Sequence, residues 1–136
     1  MSVDVRFLIQ VHSIKSWIQK VIKTALLVLN VKKDVSVVIV GDKKIQELNK
    51  LYRKKNKVTD VLSFGDWNDA KFLGEIFISL PQARCQAKEY GFTVKKEIAR
   101  LLIHGVLHLV GYEHEKSLKE EKRMFKKQES ILKKIK

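Results

Sequence analysis

The chain has one cysteine, Cys85, and can therefore close no disulfide within itself. A reducing compartment is its natural setting, and Cys85 reads as a small buried or half-buried hydrophobe. It has one proline, Pro81, and only 6 glycines, so no Pro- or Gly-rich linker divides the 136 residues, and no repeat or low-complexity run does so either. That length suits one domain, residues 1–136, with a core of its own. Long hydrophobic runs are also missing. The most apolar stretch, residues 98–110, is broken by Arg100, His104 and His108 and is too short to span a bilayer. Asp4 and Arg6 fall where a signal peptide needs an apolar segment. The expectation is a cytoplasmic protein that does not bind membranes.

Acidic residues are scarce. Against 28 Lys and Arg there are 15 Asp and Glu, for a formal net charge of +13. The excess is unevenly placed: residues 1–60 carry 13 bases and 5 acids, residues 61–115 carry 6 and 7, and residues 116–136 carry 9 and 3. Two basic segments thus flank a near-neutral middle. Such a balance suits a polyanionic partner, of which nucleic acid is the commonest, although a merely solvated lysine-rich surface would have the same composition.

Hydrophobic periodicity gives four strands and about five helices. Val3, Val5, Phe7 and Ile9 alternate as a strand, DVSVVIV at 34–40 is a second, TDVLSF at 59–64 a third and FLGEIFIS at 72–79 a fourth, the last two being neighbours joined by a loop. Helices are expected from Ser13 as a cap through Leu29, from Asp42 as a cap through about Arg53, over 81–90, over 93–110 with Thr93 as cap, and over 117–136 with Leu118, Phe125, Leu132 and Ile135 as its apolar stripe. Gly91 and Gly111 are placed to stop the third and fourth helices. The fourth is apolar almost all round, so it should be central and buried.

That helix carries the chemistry. In HGVLHLVGYEH, residues 104–114, His104 and His108 are four apart and share one helical face. Gly111 breaks the helix, and His114 can return as a third ligand. Three neutral imidazoles with an open fourth position describe a catalytic zinc site rather than a closed structural one. Other divalent transition metals could occupy it in vitro. Satisfied core histidines are the bland alternative. The fourth histidine, His12, has no partner at ligand spacing. The pattern H-x-x-x-H-x-x-G-x-x-H is that of the metzincin proteases, except that Gly105 stands where they have the glutamate that acts as general base. Zinc lowers the pKa of a bound water to about 7 without such a base, and a carboxylate beside the metal would repel an anionic phosphodiester. The missing glutamate points from peptides towards phosphodiesters.

HGVLHLVGYEH resembles the H-G-x-L-H-L-x-G-Y-D-H signature of the YbeY endoribonucleases, the ribosomal RNA maturation factors. LNKLYRKKNKVTDVLSFG, residues 48–65, resembles that family's L-N-x-x-Y-R-x-x-x-x-x-T-D-V-L-S-F-P, and LGEIFIS, residues 73–79, resembles its L-G-D-I-x-I-S. The resemblance covers essentially the whole chain. It implies an α+β fold in which the zinc helix packs on a small mixed sheet, and a metal-dependent, single-strand-specific endoribonuclease acting in ribosomal RNA maturation and ribosome quality control. Glu113, Glu75 and Gly65 stand where the family motifs have Asp, Asp and Pro.

From the residues alone Arg53 is either a phosphate clamp or a surface arginine of a basic loop. The resemblance implies a functional, catalytic arginine. Lys54, Lys55 and Lys57 read as nonspecific phosphate contacts, and Asp60 and Ser63 as groups that orient ligands or line a cleft. Thr59 and Asp60 fit plain capping as well, and Tyr112 fits either base stacking or packing. The expected cofactor is one Zn2+ per chain, and the expected partners are single-stranded or ribosomal RNA and the ribosome. Two other readings remain open: a metzincin-like metallohydrolase acting on peptides, and a non-catalytic, zinc-stabilised RNA- or ribosome-binding factor.

Overall fold

The computed structural model describes residues 1–11, 13–66, 68–112 and 117–135. Among these lie four strands, β1 (Val3–Phe7), β2 (Asp34–Val40), β3 (Val61–Phe64) and β4 (Phe72–Ser79). They form one mixed sheet in the order β1-β2-β4-β3. β1 and β4 run parallel to β2, whereas β3 runs antiparallel to β4, with Ser63 opposite Ile76. The α+β architecture expected from the sequence is the one found.

β2 is buried along nearly its whole length because both faces of the sheet are covered. Val35, Val37 and Ile39 join the main core with α1 (Lys15–Val28), α4 (Val94–Leu109) and α5 (Leu118–Lys133). Val38 and Val40 point the other way, into a smaller cluster with Leu62 and with Ile45 of α2 (Asp42–Arg53). A strand buried on two sides needs an unbroken apolar run, and VVIV supplies it.

Two of the expected caps are displaced. α1 starts after Ile14, with no side-chain cap bond, because Ser13 takes a φ of 25° instead of the extended conformation an N-cap needs. At α2 the cap is Gly41, and Asp42 lies in the first turn. There its Oδ1 accepts from Ser79 Oγ at 2.8 Å and from Gln82 Nε2 at 3.1 Å. Asp42 thereby ties α2 to the start of α3 (Leu80–Tyr90), for which Ser79 is the N-cap. The remaining helix signals hold. Thr93 Oγ1 accepts from Lys96 N at 3.1 Å, Ser117 Oγ accepts from Glu120 N at 3.1 Å, and Gly91 and Gly111 follow α3 and α4 with φ of 71° and 104°.

α4 touches α1, α3, α5, β3 and β4, which makes it the central element. Near its start the fully buried Glu97 accepts from Arg100 Nε at 2.8 Å, from Arg100 Nη2 at 3.0 Å and from Gln86 Nε2 at 2.6 Å. The hydrogen bond to Glu97 holds the Arg100 guanidinium above its ordinary pKa, against the opposing effect of burial. α5 docks with a different face from the one expected. Met124, Gln128 and Ile131 are buried, whereas Leu118 and Phe125 are 65% and 58% exposed. Leu132 and Ile135 pack partly against the core, as read from the sequence.

Candidate active site

Where α4 crosses β3 a cleft of about 750 Å³ opens, lined by Asn49, Arg53, Lys55, Lys57, Thr59, Asp60, Ser63, His104 and His108 among others. Three pieces of chain build it: the end of α2 with the basic loop after it, β3, and the second half of α4.

On α4 the two histidines sit one turn apart, as an i, i+4 pair must. Their rings are 4.6 Å apart at 76°, and the Nε2 atoms approach to 3.1 Å. Two nitrogens bound to one tetrahedral zinc at about 2.0–2.1 Å would be only slightly farther apart, so the pair suits a shared cation with little movement. On the other side of its ring, His104 Nδ1 lies 3.0 Å from Oε1 of the buried Gln128, reaching in from α5. Neutral imidazoles with a hydrogen-bonded back nitrogen are the donor set a borderline-soft ion such as zinc prefers. His114, the third expected ligand, lies outside the described residues, as do Glu113 and His12. No group of three or more His, Cys, Asp or Glu side chains placed for one cation occurs among the described residues, which contain only the first two of the three histidines.

Gly105 has a structural reason to be glycine. A Cβ built on it would lie 3.0 Å from Ser63 Oγ and 3.1 Å from Cδ1 and Cγ2 of Ile76. α4 rests on β3 and β4 at this position, so any side chain here would have to press Ser63 and Ile76 aside. The protease base that the sequence lacks is thus also disfavoured by packing. A similar close approach joins the sheet to the end of α4. Cβ atoms built on Gly65 and Gly74 would lie 2.9 Å and 2.7 Å from Leu109 Cδ2, and each would be 3.1 Å from the other glycine's Cα. Gly65 therefore sits in a tight three-way contact.

Arg53 is the last residue of α2. Its Nη2 donates to the Ser63 carbonyl at 2.9 Å, and its guanidinium lies 5.4 Å from the centre of the Phe64 ring. These contacts orient the group towards the cleft and leave other N–H donors for a ligand. Lys55 and Lys57 line the cleft with it. Lys54 does not. It caps α2 in a left-handed conformation at φ 58°, which turns the chain away. Asp60 Oδ1 accepts from Val61 N at 2.8 Å and from Thr59 Oγ1 at 3.4 Å, which is the capping arrangement, while still lining the cleft. Tyr112 packs partly buried against the core, with Arg123 4.9 Å from its ring centre.

Two residues here had no place in the sequence reading of the site. Asn49 is buried, and its Nδ2 donates to the Lys57 carbonyl at 3.0 Å, while Gln46 Nε2 donates to Asn56 Oδ1 at 3.1 Å. Together they pin the basic loop to α2. Asn49 was visible only as a polar residue on the inner side of that helix. Gln128 sits in a lysine-rich stretch, where no pattern marks it.

The comparisons with known proteins agree over most of the chain. The family model described as endoribonuclease YbeY matches residues 4–136. A protein of Aquifex aeolicus named endoribonuclease YbeY is 42% identical over 125 residues, covering 89% of this chain and 83% of the relative. The protein of that name from Acholeplasma laidlawii is 44% identical over 115 residues, covering 84% and 83%. The solution structure of TM1509 from Thermotoga maritima is similar with a TM-score of 0.69 at 28% identity, over 98% of this chain and 88% of that one.

Proposed function

The chain belongs to the YbeY endoribonuclease family, and from that premise we propose a zinc-dependent, single-strand-specific endoribonuclease that acts in ribosomal RNA maturation and ribosome quality control. The hydrolytic endoribonuclease class and an RNA substrate follow from the family. Zinc, strand preference, the ribosomal target and a cytoplasmic setting are the further steps. The observation that carries the reading is one of placement: two histidine Nε2 atoms 3.1 Å apart open into the same cleft as Arg53, Lys55 and Lys57.

His104, His108 and His114 would hold the ion, the last on the strength of the family motif. When bound, zinc supplies polarisation of a phosphoryl oxygen and a water acidified to a pKa of about 7. The chain's own groups supply the rest. Arg53, fixed by the Ser63 carbonyl, offers planar, permanently charged donors to the phosphate and to the charge that grows on it as the P–O bond breaks. Lys55 and Lys57, on a loop held by Asn49, neutralise flanking phosphates. Asp60 and Ser63 line the floor and shape it. Lys54, which does not line the cleft, is left to outer phosphate contacts at most. The peptidase reading loses its base at Gly105.

The test is cleavage of a single-stranded RNA and of the same sequence as a duplex, with zinc and after chelation. The single strand should be cut, the duplex spared, and chelation should stop cutting until zinc is returned. Undiminished cleavage by folded His108→Ala would refute the reading. Tight RNA binding with no turnover at any zinc loading would leave only the binding-factor alternative.

A further inference from the structure

Of the three buried residues of α5, Met124, Gln128 and Ile131, one is polar, and its side chain meets a metal-ligand candidate. Gln128 is 3% exposed, flanked on the buried face of α5 by Met124 and Ile131. A buried amide is costly unless paired, so its contact with His104 is one the fold must satisfy. His104 stands between two cavities. Its front faces the cleft, and its back faces a second hollow of about 480 Å³ between α4 and α5, lined by Arg100, Phe125 and Gln128 among others.

Resting on the zinc reading above, we propose that Gln128 is a positioning residue of the metal site: its side-chain carbonyl accepts the Nδ1–H of His104 and so leaves the Nε2 lone pair facing His108. The amide orientation sets which ring nitrogen of His104 presents its lone pair to a cation. With Oε1 towards the ring, at 3.0 Å, the hydrogen of the neutral imidazole sits on Nδ1 and the ring turns its Nε2 lone pair towards His108. With the amide reversed, its N–H would donate to Nδ1 and the ring hydrogen would move to Nε2. That hydrogen would then fill the 3.1 Å gap to His108 Nε2, where the cation belongs. Metal-bound histidines are generally held in this way through the far nitrogen, and removing the acceptor costs about 10–100-fold in metal affinity. A neutral acceptor also orients the ring without adding a buried charge.

The experiment measures zinc affinity by competition with a chromophoric chelator for the full chain and for Gln128→Met and Gln128→Glu. The thermal midpoint of each zinc-free protein is measured alongside. Long-range proton–nitrogen NMR on the zinc-free wild type reports which nitrogen of His104 carries hydrogen. The expected result is an Nδ1–H ring, a loss of about 10–100-fold in zinc affinity for Gln128→Met, and wild-type affinity or better for Gln128→Glu, whose carboxylate can only accept. An Nε2–H ring, equal affinity in Gln128→Met, or a loss in Gln128→Glu at an unchanged midpoint would overturn the proposal. Should Gln128→Met fail to fold, Gln128→Glu and the NMR result still decide. A wild type that binds no zinc would sink the metal reading itself, and the role of Gln128 with it. Zinc binding that ignores position 128 would sink only the latter.

Discussion

Arg53 shows how little of a residue's role is in its identity. By composition it is one more base in a run of four between residues 53 and 57. The structure separates the run: Arg53, Lys55 and Lys57 face the cleft, Lys54 turns the helix end, and Arg53 alone is anchored, through the Ser63 carbonyl. Arg53→Ala should therefore lower kcat/KM on single-stranded RNA by roughly 10²–10³, the scale of losing one charge-stabilising donor. Arg53→Lys should recover little, because an ammonium cannot reproduce the fork. Lys54→Ala should leave turnover within about twofold, a size expected of an exposed side chain outside the site. Steady-state kinetics on one RNA substrate decide all three. Gln128 is the opposite case. Nothing in its neighbours predicts burial, since it stands among Lys126, Lys127 and Glu129, and only the docking of α5 makes it matter.

Among the elements, α4 and α5 differ in how far their sequences determine their packing. An all-round apolar helix with Thr93 before it and Gly111 after it has one place to go, and α4 is central as expected. Its close contact at Gly105 was legible as an absence and explained by the structure as a fit. Gly105→Glu should therefore not create a peptidase. It should destabilise the fold by more than about 3 kcal/mol, as over-packing and an unpaired buried carboxylate combine, a loss visible in urea unfolding. For α5 the hydropathy pattern permits two faces. Leu118 and Phe125 mark one, Met124 and Ile131 the other, and the two are separated by less than a turn. The core selects the second because Met124 and Ile131 fill it while long lysines border it. Met124→Ala and Ile131→Ala should each cost about 2–5 kcal/mol, whereas Leu118→Ala and Phe125→Ala should stay within roughly 0.5 kcal/mol. Chemical denaturation of the four variants separates the faces. The strands were legible from alternation and from VVIV, but the two displaced caps were not. Ser13 and Asp42 are competent caps by type, and it is the path of the chain and the reach of Ser79 that assign them elsewhere.

For the molecule as a whole, charge is the property that acts at a distance. The excess of +13 attracts a polyanion from any direction, but the cleft brings a small number of bases to one line. Binding of single-stranded RNA should weaken with salt at about −0.7 in log K per log salt for each phosphate contact, so three cleft bases predict a slope near −2, with contributions from the basic C-terminal segment making it steeper. Lys55→Ala and Lys57→Ala should each flatten it by about 0.7, read by fluorescence anisotropy across a salt series. The glycine pair Gly65 and Gly74 bears on the same line of bases. A Cβ on Gly65 would run into the Leu73 carbonyl and one on Gly74 into the Phe64 carbonyl, with the Leu109 side chain resting on the same bare backbone. Two neighbouring strands are thus seamed together with no room for a methyl group between them, and a substitution at either glycine should unpick that seam and loosen the β3 wall of the cleft from behind, without changing any of its charged groups.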